Sequence, residues 1–458
     1  MTYQEQQDIL FEHVFKKYYY HKEAIEIIIS SHCNQNCQYC YLRKYGSLTY
    51  TKESNDVNNI LHNLPILLNW WQEVNHNFKS YDLFSGEFFA LPYWEKVLQI
   101  IYDFHKDCGC PRRTISIPTN CSFITDDQKT QKIESWISKL KDINCHLYMS
   151  LSVDGPEDVE EIERPSKFGQ KSKEFYDKIF DFSKKYTYGF HPMVTKTFVK
   201  NYKQNYDWWI DNIIDKEIMV VNPGKEPVYS IPMFLEVRDS EEWDEESLEN
   251  YRQFLWYVAK TDIEKLHKGN IKDFAYHMLD DFTDATKDFS TYSHVQPYLL
   301  ALPTIHHDMS CSIQTRPFIR VGDLAVVPCH RTSYPNMIYG YLRLDDKKEN
   351  IVGFKGSNSI LCIKINNLST TRSIMGCNNC EIKHLCMNGC LGSQYEHTKE
   401  LFASQEPVCK MIKTKYKTIH EIAKHYNIYD IIENTFGLSE EKKEIIKYDR
   451  KIFEQLCT

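Results

Sequence analysis

Apolar residues run together or alternate with polar ones in six short stretches of this chain: IEIIIS (26–31), SYDLF (80–84), RTISIPT (113–119), HLYMSLSV (146–153), HPMVTKTFV (191–199) and YSIPMFLEV (229–237). Their β-branched and aromatic content predicts strands. Between them, over 53–74, 92–107, 126–142, 169–186, 203–214 and 243–261, apolar positions recur every three and four residues, the spacing of one helical face. Strands alternating with helices predict a mostly parallel sheet with right-handed connections, an α/β architecture of about 230 residues forming an open, partial barrel. In such folds the chemistry gathers on the βα loops at the C-terminal ends of the strands.

Near residue 300 the pattern changes. Strand-like segments become short (FIRVGDLAVVP, 318–328), cysteines crowd together, and long helical patterns stop until about residue 410. The expected organisation is a helical extension over 1–24, a barrel over 25–240, a helical bridging insert over 241–304, a separate metal-organised domain over 305–410 and a C-terminal helical segment over 411–458. Residues 411–435 look helical and dock back on the core, and no internal repeat or long low-complexity linker is visible.

Composition narrows the function. A chain of 458 residues with 55 Lys and Arg against 63 Asp and Glu carries a net charge of −8 and no long basic run. That argues against a nucleic-acid scaffold or a membrane protein held by charge. The first residues mix acids with apolar side chains and hold no signal-peptide core. No segment has the ~18 uninterrupted apolar residues of a membrane span, so the cytoplasm is the expected compartment. There, 16 cysteines stay reduced, which points to metal or redox chemistry rather than disulfides.

Their spacing is informative. SSHCNQNCQYCYLRK places Cys33, Cys37 and Cys40 in a Cys-x3-Cys-x2-Cys loop just after the first strand. Three soft thiolates suit three corners of a [4Fe–4S] cube with the fourth iron open; a zinc loop or three incidental buried thiols is the competing reading. Downstream, CNNCEIKHLCMNGC (377–390) gives Cys-x2-Cys-x5-Cys-x3-Cys, followed by Cys409 and preceded by Cys311, Gly322 and Cys329. By spacing alone a structural zinc ribbon fits this region too. Cys108, Cys110, Cys121, Cys145 and Cys457 have no assigned role, and buried small hydrophobes are the reading for most of them.

The first cluster, with Tyr39 in its aromatic position, resembles the signature of the radical S-adenosylmethionine (SAM) superfamily. The second closely resembles the SPASM domain that follows the barrel in many of its members. The resemblance implies a partial (β/α)6 TIM-like barrel with a C-terminal cysteine-rich SPASM domain. It implies SAM and three [4Fe–4S] clusters as cofactors: one on Cys33, Cys37 and Cys40, an outer auxiliary one on Cys377, Cys380, Cys386 and Cys409, and an inner one on Cys311, Cys329 and Cys390. The fourth inner ligand is Cys362, His306, His307 or none. Electron transfer into the sulfonium then releases methionine and a 5′-deoxyadenosyl radical.

Cofactor contacts follow by the same resemblance. Tyr39 faces the adenine. FSGE (84–87) resembles the GGE motif, giving Ser85, Gly86 and Glu87 to the methionine ammonium. Thr119 and Asn120 resemble a Thr-Asn-Gly turn with Cys121 in the glycine place. SLSVDGPEDVEEIERP (150–165) resembles the segment whose serine and arginine, here Ser152 and Arg164, bind the cofactor carboxylate, with Asp154 in register. A bidentate guanidinium–carboxylate pair gives that role a physical basis. Glu160 and Glu161 stand where many relatives have His-Asp. His330 follows Cys329 where sulfatase-maturating relatives carry an aspartate base, and a histidine also takes a proton near neutral pH.

The implied activity is hydrogen abstraction from a ribosomal peptide, leading to a thioether or carbon–carbon crosslink. Alternatives are a small-molecule dehydrogenase and a sulfatase-maturase-like oxidation. Implied partners are a flavodoxin or ferredoxin reductant and, since only about 25 residues precede the first strand, either a separate leader-recognition protein or recognition through the aromatic-rich insert around 262–304.

Overall fold

The computed structural model describes residues 1–20, 22–166, 172–214, 218, 234–235, 243–267, 316–367, 380, 390–400 and 403–427. Five parallel strands form the wall: β1 (Ala24–Ser30), β2 (Ser80–Ser85), β3 (Arg113–Thr119) and β4 (Cys145–Leu151), which match the apolar runs, and the short β5 (Gly189–Phe190), which lies just before the run at 191–199. All seven residues of β1 are buried. In β3 and β4 burial alternates residue by residue, with Ile115, Ile117, Leu147 and Met149 sealed into the helix-covered core.

The helices return between strands as right-handed crossovers demand. They are α1 (Tyr3–Tyr19), α2 (Tyr41–Thr49), α3 (Val57–Val74), α4 (Trp94–Asp107), α5 (Asp127–Lys141), α6 (Glu157–Glu163) and α7 (Lys173–Tyr186). Asp56, Asp126 and Ser172 start α3, α5 and α7 by accepting a hydrogen bond from the backbone N–H three residues on.

Two expectations change. The stretch 191–199 is not one strand: β6 (Met193–Val194) ends at Thr195, whose hydroxyl accepts from Phe198 N–H at 3.1 Å and starts helix α8 (Lys196–Lys200). A cap outweighs β-branched propensity here. Of the strand expected at 229–237, only β7 (Phe234–Leu235), paired with β6, lies among the described residues. Helices α9 (Tyr202–Trp209), which runs into a π turn at Ile210–Ile214, and α10 (Glu245–His267) match the remaining patterns.

The sheet also crosses the boundary drawn at residue 305. β8 (Phe318–Arg320) pairs in parallel with β1, and β9 (Ala325–Val327), β10 (Gly340–Leu344) and β11 (Ile351–Lys355) continue antiparallel from it, making nine strands in one sheet. Helix α1 lies on this extension. Phe11 meets Phe354 edge-on at 4.9 Å, and Asp8 accepts from Ser357 N–H at 2.8 Å. The described part of the C-terminal helix, Glu406–Tyr426, begins five residues before the expected start and packs near α10 through Arg252 and Glu421 at 2.9 Å. Among the described residues no helix is long and apolar enough to cross a membrane.

Candidate functional site

Cys33, Cys37 and Cys40 occupy the loop between the end of β1 and the start of α2. Cys40 N–H donates to Cys37 O at 3.2 Å, closing a tight turn that carries two of the three thiols. Burial pushes the Cys33 thiol up to about 11 and the Cys37 thiol up to about 12, and each feels the other two or their neighbours as like charges. The positive charge of Arg164 pulls both down.

Two neighbouring chain segments hold this loop. On one side, Asn36 N–H donates to Pro165 O at 3.4 Å and Gln38 N–H to Glu163 O at 2.8 Å, while Gln35 bridges Ser166. On the other, Gly86 N–H donates to Ser30 O at 2.9 Å and Glu87 N–H to His32 O at 2.8 Å. A Cβ on Gly86 would stand 2.3 Å from His32 O, so glycine is required for this approach. Gly86→Ala is therefore expected to push the cysteine loop aside, destabilising the fold by about 2 kcal/mol or more. Denaturant melts and iron retention check this; unchanged values for both would contradict it.

Glu87 is buried and stitches β2 to β3. Its Oε1 accepts from Phe89 N–H at 3.1 Å and Thr119 Oγ1 at 2.8 Å, and its Oε2 from Asn120 N–H at 2.6 Å. Burial raises its carboxyl while these donors pull it back down. Asn120 then reaches the cysteine loop, donating through Nδ2 to Asn34 Oδ1 at 2.7 Å with Cys33 Sγ 3.9 Å away. Cys121 has φ +64°, the left-handed geometry a Thr-Asn-Gly turn would give to glycine, and is fully buried. Ser85 ends β2, and Ser152 N–H donates to Thr119 O at 2.8 Å.

A charged knot follows β4. Tyr39 OH donates to Asp154 Oδ2 at 2.5 Å and accepts from Arg164 Nη1 at 2.7 Å. Asp154 Oδ1 accepts from Met193 N–H at 3.0 Å and lies 3.8 Å from Arg164 Nη1. Glu160 is buried beneath this pair: its Oε1 accepts from Asp154 N–H, and its Oε2 lies 3.9 Å from Arg164 Nε, which makes no hydrogen bond. Burial pushes the Asp154 carboxyl up against the pull of Arg164. Glu160 is thus a structural acid.

His191, just after β5, was not singled out by motif. Burial, then the nearby Arg164, lower its imidazole to about 4, so it is neutral at pH 7. Its backbone N–H donates to Leu151 O at 2.8 Å. Only the register of β5 puts it at this end of the sheet, and no sequence signal marked it.

The second cysteine region is partly described. Cys329 and Cys390 come together: burial raises Cys329 to about 11, with Cys390 as the next contribution. A Cβ on Gly392, in the helix Leu391–Thr398 that follows Cys390, would stand 2.9 Å from Arg331 Cβ, which shows how tightly the two segments pack. His330 lies flat on Phe84, ring centroids 4.3 Å apart, with Tyr41 at 5.6 Å. Cys362 is fully buried, with Asn366 Nδ2 3.5 Å from its sulfur, in a helix that packs on α1. Cys409 and Cys380 are half-buried. Cys311, Cys377, Cys386, Cys457, His306 and His307 lie outside the described residues. Among the described residues no three His, Cys, Asp or Glu side chains converge on a single-ion site; thiolates of a cubane occupy separate corners instead.

No family model and no curated sequence matches the chain. Solved structures do. Native anSMEcpe with AdoMet bound, a radical SAM sulfatase-maturating enzyme, aligns at 17% identity and TM-score 0.55 over 90% of this chain and 99% of that one. Native anSMEcpe with AdoMet and the Kp18Cys peptide aligns at 17% identity and TM-score 0.52, again over 90% and 99%. The chain therefore shares the fold of these structures, a partial TIM-like barrel with a parallel sheet.

Proposed function

We propose that this chain is a radical SAM enzyme with a SPASM domain that abstracts hydrogen from a peptide and leads it to an oxidative crosslink. One observation carries the proposal: residues from the ends of β1, β2, β3 and β4, drawn from separate motifs, meet around one cysteine loop. The peptide substrate is favoured because the same fold is found in anSMEcpe bound to AdoMet and a peptide.

The donor set fits an iron–sulfur cluster. Three soft thiols share one loop, the guanidinium of Arg164 offsets their negative charge, and Gln35 N–H already donates to Cys33 Sγ at 3.4 Å. When bound, the cluster and SAM supply the 5′-deoxyadenosyl radical. The chain's own part is placement. Tyr39 holds Asp154 and Arg164 beside the loop, Glu87 ties the ends of β2 and β3 together, and neutral His191 adds no competing charge. Cys329 and Cys390, with Cys311, would hold the inner auxiliary cluster; Cys377, Cys380, Cys386 and Cys409 would hold the outer one. Clusters held there would supply an electron acceptor for the reaction, chemistry that belongs to the cofactor rather than to the side chains.

Anaerobic reconstitution is expected to load about twelve irons. Dithionite should then yield 5′-deoxyadenosine, and a short peptide encoded beside the gene should lose about two mass units on co-expression. Zinc in place of iron, or no 5′-deoxyadenosine, overturns the reading. A normal SAM cleavage with sugar or alcohol genes as neighbours, and no peptide mass change, selects the small-molecule dehydrogenase instead.

A further inference from the structure

One layer of the barrel wall is used by none of the residues above. The register sets Glu26 of β1 beside Asp82 of β2, Asp82 beside Ser116 of β3, and Ser116 beside Tyr148 of β4. Side chains alternate along a strand. These four therefore face away from Ile25, Ile27, Ile115, Ile117, Leu147 and Met149, which pack under the helices, and they form one row on the inner face of the wall. Such layers are normally filled by branched apolar side chains. Here the row is polar throughout.

Arg316, just before β8, reaches into it. Its Nη1 lies 2.9 Å from Glu26 Oε1 and contacts Asp82 Oδ2. One guanidinium thus serves two carboxyls, of which Glu26 is raised to about 7 by burial against the pull of Arg316. Glu26 is 2% exposed, yet its Oε2 has no hydrogen-bond partner among the described residues. A closed structural ion pair would not leave a buried acceptor unpaired, because that acceptor forfeits its hydration without return. Nor is the row sealed: inward positions of β3 and β4 keep partial accessibility where the outward ones are buried, and Arg316 keeps about a third of its side chain exposed.

We propose that Glu26 and Asp82, with Arg316 between them, form the floor of the substrate chamber and take an ammonium or guanidinium group, a basic side chain of the substrate. The proposal rests on the radical SAM reading for the identity of the chamber. Glu26 Oε2 is the acceptor that the incoming cation satisfies. Arg316 tempers the site by offsetting carboxylate charge at Glu26 and Asp82 while the chamber is empty. Ser116 and Tyr148 supply neutral hydrogen-bonding groups alongside.

Three probes of equal carbon count separate charge from shape: n-butylammonium, n-butyramide and n-butyrate. Their binding to the reconstituted, SAM-loaded full chain is measured by equilibrium dialysis of labelled probe, with melting curves for each variant. The ammonium is expected to bind about tenfold better than the amide, and butyrate least of all. Glu26→Gln should weaken ammonium binding about tenfold. Arg316→Met, which frees both carboxylates, should strengthen it, and a shift in this direction is not produced by misfolding. An ammonium that binds no better than the amide, or an Arg316→Met variant that binds it more weakly, overturns the proposal. 5′-Deoxyadenosine formation by the same wild-type preparation separates the two claims: cleavage without ammonium preference removes only the cation floor, whereas ammonium preference without cleavage removes the radical SAM reading and leaves the row a cation site.

Discussion

A Cys37→Ala variant, reconstituted anaerobically beside wild type, should form 5′-deoxyadenosine at least about a hundredfold more slowly, since outer-shell changes at metal sites already cost 10–100-fold. Cys37 is the most informative member of the triad: it is the buried one of the three, and its backbone carbonyl accepts from Cys40 N–H. Removing its sulfur leaves a two-thiol loop that cannot retain a site-differentiated cube. The iron count distinguishes this from general collapse. Loss of one cluster out of three lowers it from about twelve to about eight, whereas unfolding of the whole chain empties it. Cys145→Ala serves as the control. Cys145 is fully buried at the start of β4, away from the strand ends that hold the site, so it should cost a little stability and leave cleavage in place. Full cleavage by Cys37→Ala would remove the cluster, and with it the proposed function.

Legibility of this molecule from its sequence followed the physics of each signal. Strands β1 to β4 were readable because an apolar run bounded by turn residues has few other outcomes, and the loop carrying Cys33, Cys37 and Cys40 was readable because spacing alone defines it. Three things were hidden. The segment 191–199 has strand composition, but the Thr195 side chain caps a helix, and a single local hydrogen bond is invisible to a pattern of hydropathy. The pairing of β8 with β1 joins residues almost three hundred positions apart, which no local period records. Glu160 stood out in the sequence only by its departure from a family pattern, whereas the fold buries it under Asp154. The row of Glu26 and Asp82 did carry a signal. A lone acid inside IEIIIS and another inside SYDLF sit at positions where a filled barrel would place an apolar side chain.

The same buried-charge argument makes Arg164 the largest expected stability effect. Its guanidinium stands 3.8 Å from Asp154 and 3.9 Å from Glu160, and all three side chains are almost wholly buried. Arg164→Met removes the cation of this knot and leaves two carboxylates out of water, a change that costs about 3–5 kcal/mol when one partner of a buried pair is deleted. SAM binding should fall with it, because Tyr39 loses the donor that fixes its hydroxyl. The pH dependence gives the sign. In the wild type, burial already holds the Asp154 carboxyl above its ordinary value despite Arg164. Without the guanidinium it rises further, so the folded variant binds more protons than the unfolded chain across the range between the two values. Stability must then fall as pH rises through that range, and fall more steeply than in the wild type. Melting curves from about pH 5 to about pH 8 should therefore diverge, the variant approaching wild type on the acid side. Adding Asp154→Asn to Arg164→Met should recover part of the loss, because it removes one of the stranded charges. Parallel curves, or a double variant no more stable than Arg164→Met alone, would mean that Arg164 acts by packing rather than charge.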